Sequence, residues 1–65
     1  MIKMTVKQAR RYRDMTTDDM AEALGISRVT YEKREKRPGL FTVDEIEEIS
    51  KVVGIPKEKI LFTKG

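Results

Sequence analysis

Basic side chains are concentrated in one short stretch of the sequence, LGISRVTYEKREKRPG, which runs from Leu24 to Gly39. Seven of its residues are charged, five basic and two acidic: Arg28, Lys33, Arg34, Lys36, Arg37, Glu32 and Glu35. Guanidinium and ammonium groups donate hydrogen bonds to phosphate oxygens and to acceptor atoms on base edges. A run of charge is more often only the solvated face of a helix. The placement of these residues must therefore decide between a nucleic-acid-binding surface and a solvated face.

A helical wheel gathers most of these residues on one face. At about 100° per residue, an arc of roughly 140° collects five side chains: Arg28, Val29, Glu32, Lys33 and Lys36. Tyr31 and Arg34 face the other way, with Thr30 beside them. The outward face is biased towards positive charge, and Lys36-Arg37 carries the bias into the next loop. This bias favours a nucleic-acid partner over a plain solvated face.

Composition supports that partner class and excludes others. Residues 1–38 hold ten Lys/Arg against six Asp/Glu, whereas residues 39–65 hold four against five. The sequence has no cysteine and no histidine, which removes disulfides, thiolate zinc sites and the commonest general base. No apolar run reaches the length of a membrane span or a signal peptide. We therefore expect a cytoplasmic protein without membrane contact.

Two acidic clusters could also do chemistry, as metal ligands or as an acid–base pair. They are Asp18, Asp19 and Glu22, and Asp44, Glu45, Glu47 and Glu48. Both fall near predicted helix starts, where carboxylates interact favourably with the helix macrodipole, and that explanation is favoured. Nothing in the sequence matches a phosphate-cradling loop or a nucleophile arrangement. We expect no enzyme activity, no cofactor, no metal and no small-molecule ligand.

Helix start and stop signals divide the chain into five short helices. The starts are three capping boxes and a serine cap: Thr5–Gln8, Thr16–Asp19, Ser27 and Thr42–Glu45. The stops are two glycines and a Pro-Gly pair: Gly25, Gly54 and Pro38-Gly39. With Pro56 in the first turn of the last helix, the predicted helices cover residues 6–13, 17–24, 28–36, 43–53 and 56–61. A short strand from Ile60 to Thr63 is the alternative for the last segment.

The 65 residues are too few for more than one domain, so residues 1–65 are predicted to form an all-α, compact five-helix bundle. The connection between its second and third helices has the residues that a helix-turn-helix requires. Ala21 is small where the two helices would touch, and Gly25 is free to take a positive φ. Apolar residues that can anchor both helices stand at Met20, Leu24, Ile26 and Tyr31.

With these residues the sequence resembles the lambda-repressor/Cro-like helix-turn-helix family, the XRE type, over about residues 6–61. The resemblance is carried by Arg10, TTDDMAEALGISRVTYEKRE from Thr16 to Glu35, Pro38, and TVDEIEEISKVVGI from Thr42 to Ile55. It implies a phage- or prophage-type Cro or repressor, in the cytoplasm of a bacterial or phage-infected cell. Such a regulator binds double-stranded DNA at a palindromic operator as a weak homodimer and reads the major groove with its third helix.

The resemblance also implies roles for single residues. The first, second and sixth positions of the third helix read bases, and here they are Arg28, Val29 and Lys33. Arg28 can give two hydrogen bonds to guanine, Val29 can touch a thymine methyl and Lys33 can reach another guanine. Lys36 and Arg37 would bind phosphates. The complete predicted DNA-contacting set is Thr17, Ser27, Arg28, Val29, Thr30, Lys33, Lys36 and Arg37.

Other residues have an implied structural role or depart from the family pattern. The resemblance implies an ion pair between Arg10 and Glu35 that fixes helix orientation. Thr17 stands where many members have a glutamine that touches phosphate. Arg34 replaces a large apolar residue, and we expect its stem to cover core while its guanidinium reaches solvent. Phe41 would fill part of the space that Arg34 leaves open.

Three points stay open at the level of sequence. Glu32 on the outward face would repel phosphate unless it pairs with Arg28 or Lys36, which is favoured, or accepts a hydrogen bond from a cytosine amino group. The apolar end of the chain either packs on the core through Ile60 and Leu61 or forms a dimer contact through Leu61 and Phe62. The same fold also serves protein-interaction modules such as an antitoxin or anti-regulator, and charge alone would bind nucleic acid without sequence preference.

Overall fold

The computed structural model describes residues 3–62, which form four α-helices and one short pair of strands. The helices are α1 (Val6–Tyr12), α2 (Thr17–Leu24), α3 (Arg28–Lys36) and α4 (Val43–Val53). The strands are β1 (Met4–Thr5) and β2 (Ile60–Leu61), and 3-10 turns cover Pro38–Leu40 and Lys57–Lys59. The predicted helical bundle is confirmed as a fold class, with four helices in the described residues in place of five.

Side-chain caps fix where the helices begin, as the sequence predicts. In α1, the Gln8 N–H donates to Thr5 Oγ1 at 3.0 Å and the Thr5 N–H donates to Gln8 Oε1 at 2.9 Å. The boxes that begin at Thr16 and Thr42 have the same reciprocal pair of bonds. Each such cap stabilises its helix by about 1 kcal/mol, which matters in a domain with so small a core.

Left-handed residues end two of the helices. Gly25 follows α2 with a φ of 70° and Gly54 follows α4 with a φ of 69°, a conformation in which any side chain is strained. The first helix stops at Tyr12, one residue before its predicted end. Arg13 is its C-cap residue, and Asp14, with a φ of 55°, turns the chain.

The predicted fifth helix over residues 56–61 is wrong. Pro56 has an extended ψ of 138°, and Ile60 is extended at φ −112° and ψ 134°. Strand β2 pairs in parallel with β1, with Met4 opposite Ile60. The pairing satisfies backbone groups of the segment and leaves Ile60 only 2% exposed, which stabilises the extended form. The alternative strand is thus confirmed for Ile60–Leu61, whereas Thr63 lies outside the described residues.

In residues 3–62, nine buried apolar residues form one core to which every α-helix and β2 contribute. They are Val6, Ala9, Met20, Ala21, Tyr31, Phe41, Ile49, Val53 and Ile60. Leu24 and Ile26 pack against this core from half-buried positions, so the predicted anchors of α2 and α3 are in place.

No helix in residues 3–62 has the length and apolarity needed to cross a membrane.

Candidate nucleic-acid interface

The turn between α2 and α3 sets the angle of the two helices through backbone hydrogen bonds. The Gly25 N–H donates to the Glu22 carbonyl at 3.1 Å, and the Ile26 N–H donates to the Ala21 carbonyl at 3.0 Å. The Ala21 side chain is buried, as expected of a small residue where two helices pack. The predicted helix-turn-helix is therefore present.

A serine cap starts α3 and engages one of the predicted contact residues. Ser27 Oγ accepts the Thr30 N–H at 3.1 Å and donates to Thr30 Oγ1 at 2.9 Å. Thr30 is half-buried. Its hydroxyl can still donate one hydrogen bond, but the side chain stands at the flank of α3 and not on its outward face.

The outward face of α3 is open to solvent. Val29 is 58% exposed and the Arg28 side chain is 58% exposed, and Lys33 is also exposed. Because Arg28–Lys36 is one continuous α-helix, these side chains project from the same side of it. Tyr31 alone among the nine residues of α3 is fully buried, on the opposite side.

Two acids lie beside the first residue of this face. Glu32 Oε2 is 4.0 Å from Arg28 Nε, and Asp18 Oδ1 at the start of α2 is 3.8 Å from the same nitrogen. Glu32 thus pairs with Arg28 rather than with Lys36, of the two partners that the sequence left open. The Thr17 hydroxyl also donates to Glu32 Oε2 at 3.5 Å. The Thr17 side chain is therefore directed to α3, although a phosphate could still replace that long bond.

Cations continue past the end of α3. Lys36 and Arg37 are both exposed, and with Lys33 and Leu40 they line a shallow groove between α3 and the turn Pro38–Leu40. Their ammonium and guanidinium groups extend the positive face from α3 into the loop that follows it.

The predicted ion pair between α1 and α3 is present and largely buried. Arg10 Nε donates to Glu35 Oε2 at 2.9 Å, and both side chains are 11% exposed. Arg10 Nη1 also donates to the Met15 carbonyl at 2.8 Å, and the Tyr31 hydroxyl donates to Glu35 Oε2 at 2.6 Å. Burial lowers the pKa of Arg10, but the hydrogen bond and charge of Glu35 outweigh it and raise that pKa overall. Burial, aided by Glu35, raises the pKa of Tyr31 well above its ordinary value.

The sequence of this compact helix-turn-helix matches a known family model. The model of the antitoxin Xre-like helix-turn-helix domain matches residues 3–56. The chain belongs to this family. Neither curated proteins nor solved structures gave a match. Membership, together with the helix-turn-helix itself, indicates a DNA-binding regulator of the Xre-like type.

An ion pair between α3 and α4 of this Xre-like domain was missed by the sequence reasoning. Arg34 was expected to send its guanidinium to solvent, but that group hydrogen-bonds to Glu45 Oε2 at the start of α4. The other oxygen, Glu45 Oε1, accepts the Thr42 N–H at 2.9 Å. Glu45 therefore both caps the start of α4 and connects α4 to α3. The sequence held no signal for the contact with Arg34, because the capping box with Thr42 already explained the presence of Glu45.

Phe41 is part of the core beside α3, and its place against the stem of Arg34 stays a prediction. Phe41 is 5% exposed, with its ring centre 6.0 Å from that of Tyr31 and 6.3 Å from that of Phe62. Ile60 is in the core as well. The structure therefore accounts for most of the apolar C-terminal segment by packing within one copy of the Xre-like domain.

Four of the seven acids in the two clusters lie in a first helical turn, where the macrodipole explanation put them. Asp18 and Asp19 are in the first turn of α2, and Asp44 and Glu45 are in the first turn of α4. Within residues 3–62, no three acidic side chains come together in a way that could hold a metal ion.

Proposed function

We propose that this protein is a sequence-specific regulator that binds double-stranded DNA with the outward face of α3. The observation that supports this most is the exposure of Arg28, Val29 and Lys33 on one side of a helix whose other side is anchored by Tyr31. A helix held in this way can enter the major groove with its first turn deepest.

The three side chains differ in what they can read. The Arg28 guanidinium matches guanine O6 and N7, and the Val29 methyl groups match the thymine methyl. Lys33, one turn on, can reach the acceptors of a second guanine. Each good bidentate contact contributes about 1–3 kcal/mol of discrimination against the wrong base, so Arg28 carries most of the proposed specificity.

Phosphate contacts supply affinity without sequence information. Lys36 and Arg37 extend the positive face beyond α3 and can reach the DNA backbone. The amino end of α2, near Thr17, can offer backbone N–H groups to a phosphate. Of the predicted set, Ser27 and Thr30 act mainly on each other, and we propose that they shape the start of α3.

A domain this small covers few base pairs, so we propose that two copies bind a palindromic operator as a weak dimer and repress transcription there. A Cro or repressor of phage type fits that role, and an antitoxin that represses its own gene fits it equally.

The family name favours a second function beside the first. Because the matching model is named for antitoxins, this second function makes a protein partner the main ligand and DNA binding secondary. That function predicts a stoichiometric complex with a protein whose formation does not depend on DNA. Charge-driven binding without preference predicts instead a steep salt dependence and equal affinity for all sequences.

One experiment separates these functions. The purified protein is used to select from random duplex DNA, and the enriched pool is sequenced. An enriched palindrome supports the regulator, and its absence overturns it. The matched control is the variant Arg28→Ala/Lys33→Ala, which should lose the enrichment. A second double variant, Lys51→Ala/Lys57→Ala, removes the same charge outside α3 and should keep it.

A further inference from the structure

Two carboxylates flank Arg28, one from each helix of the helix-turn-helix. Asp18 comes from the first turn of α2 and Glu32 from the next turn of α3, at 3.8 Å and 4.0 Å from Arg28 Nε. Glu32 is tied to α2 as well, because Thr17 donates to its Oε2. Two negative charges from the protein itself therefore lie beside Arg28, the first residue of the proposed reading face.

Both acids approach the same side of the guanidinium. Their distances are too long for hydrogen bonds, so they act through charge and leave the donors of Arg28 unused by these contacts. The acids lie at Nε, whereas the two terminal nitrogens form the far end of the planar group. Those two nitrogens are the pair that an end-on bidentate contact with guanine employs.

Phosphate and guanine meet different environments at this point. A phosphate that approaches Arg28 also approaches Asp18 and Glu32, and like charges repel. The O6 and N7 atoms of guanine carry no net charge, so the same acids oppose them far less. An acid pair beside a base-reading arginine thus lowers its affinity for the DNA backbone more than its affinity for the base.

We propose that Asp18 and Glu32 are positioning residues for specificity: they hold Arg28 for base contact and weaken its binding to phosphates of any sequence. This inference rests on the proposed DNA-binding function and adds to it the means by which nonspecific binding is kept low. Because the repulsion acts between exposed groups, salt screens it, and it is strongest at low ionic strength.

The test compares three single-charge variants that keep side-chain size. Asp18→Asn and Glu32→Gln each remove one of the two flanking charges and leave the capping acid Asp19 in place. Glu22→Gln is the control, since Glu22 is exposed one turn further along α2 and forms no ion pair within residues 3–62. Fluorescence anisotropy gives the affinity of each protein for the selected palindrome and for an unrelated duplex, over a series of salt concentrations.

The two flanking variants are expected to bind the unrelated duplex about three- to tenfold more tightly at 50 mM salt, with a log–log salt slope steeper by about 0.9, the value of one added phosphate contact. Their affinity for the palindrome should change less, so the ratio of specific to nonspecific affinity falls at least about threefold. Glu22→Gln should shift both affinities by the same small factor. Urea midpoints of all four proteins verify that each is folded.

A ratio that stays constant in Asp18→Asn and Glu32→Gln, or that falls equally in Glu22→Gln, overturns the inference and leaves DNA binding intact. If the unmodified protein selects no sequence, the proposed function fails first and the inference fails with it. A readout without DNA is the NMR signal of the Arg28 Nε–H group. It should move in both flanking variants but not in the control, and a stationary signal would refute the charge contacts themselves.

Discussion

Two arginines of this domain face carboxylates in opposite surroundings. Arg10 and Glu35 are 2.9 Å apart and each 11% exposed, whereas Arg28 lies 3.8–4.0 Å from acids in a site where the side chains are 48–71% exposed. The buried pair is held by further hydrogen bonds from Tyr31 and to Met15. The exposed contacts are too long for hydrogen bonds and leave the donors of Arg28 open to a ligand. The same chemistry therefore holds the fold in one place and leaves a side chain available for binding in the other.

The largest expected effect comes from breaking the buried pair. Glu35→Ala leaves the Arg10 charge and the Tyr31 hydroxyl without their shared acceptor, and loss of one partner of a buried pair costs about 3–5 kcal/mol of unfolding free energy. Urea unfolding followed by circular dichroism measures it, with an osmolyte added if the variant is unfolded in buffer. Glu32→Ala, on the exposed face of the same helix, should change stability by less than about 0.5 kcal/mol. Similar losses in the two variants would erase the contrast.

Arg28→Ala tests the other side of the comparison. The variant should bind the selected palindrome about 10- to 100-fold more weakly and lose preference at one base pair of each half-site, because a bidentate contact to guanine is removed. Its unfolding free energy should stay within about 0.5 kcal/mol of the parent. Anisotropy titrations on single-base variants of the site measure the first effect, and a uniform loss on all of them would refute a reading role.

Tyr31→Phe sharpens the account of the buried pair through pH. At neutral pH the lost hydrogen bond to the Glu35 carboxylate should cost about 1.5–2 kcal/mol. Burial raises the pKa of Tyr31 in the folded state, so above about pH 10 the unfolded chain loses this proton while the folded chain keeps it. The unfolded state then binds fewer protons, and stability falls with rising pH by up to about 1.4 kcal/mol per unit.

That decline should be missing in Tyr31→Phe. Lys57, whose pKa Glu47 raises, contributes with the same sign in both proteins, so the difference between their curves isolates Tyr31. Urea unfolding at a series of pH values from 8 to about 11.5 provides the comparison, and parallel curves would contradict it.

The smallest effect is expected for Lys36→Ala, at the far end of the exposed face. Loss of one phosphate contact should weaken binding to every duplex by the same few-fold factor and make the log–log salt slope shallower by about 0.9. Lys51→Ala on α4 is the matched control and should leave both unchanged. If the variant lost affinity for the palindrome alone, Lys36 would contact a base and not a phosphate.

The parts of this fold that sequence predicts are those encoded within four or five residues. The boxes at Thr5, Thr16 and Thr42, and the stops at Gly25 and Gly54, need only local chain and are all present. The last segment was misassigned because its conformation depends on β1, more than fifty residues earlier in the chain. No local pattern carries that information.

The candidate site divides in the same way. The helical wheel predicts which residues of α3 face outward, because the period is a property of one helix. It does not predict the partners that come from other elements, such as Asp18 beside Arg28 or Glu45 beside Arg34. The pair of Arg10 and Glu35 was found only because the sequence resembles a family in which that pair occurs.

The pairing of β1 with β2 has a consequence for the order of folding. Within residues 3–62, eight of the nine core residues lie between Val6 and Val53, and Ile60 is the ninth. Ile60 reaches the core beside Met4, more than fifty positions earlier in the chain, and closing so long a loop costs chain entropy that the formation of a local helix does not. The helix-turn-helix can therefore assemble from contacts near in sequence, whereas the core is complete only when β2 has reached β1.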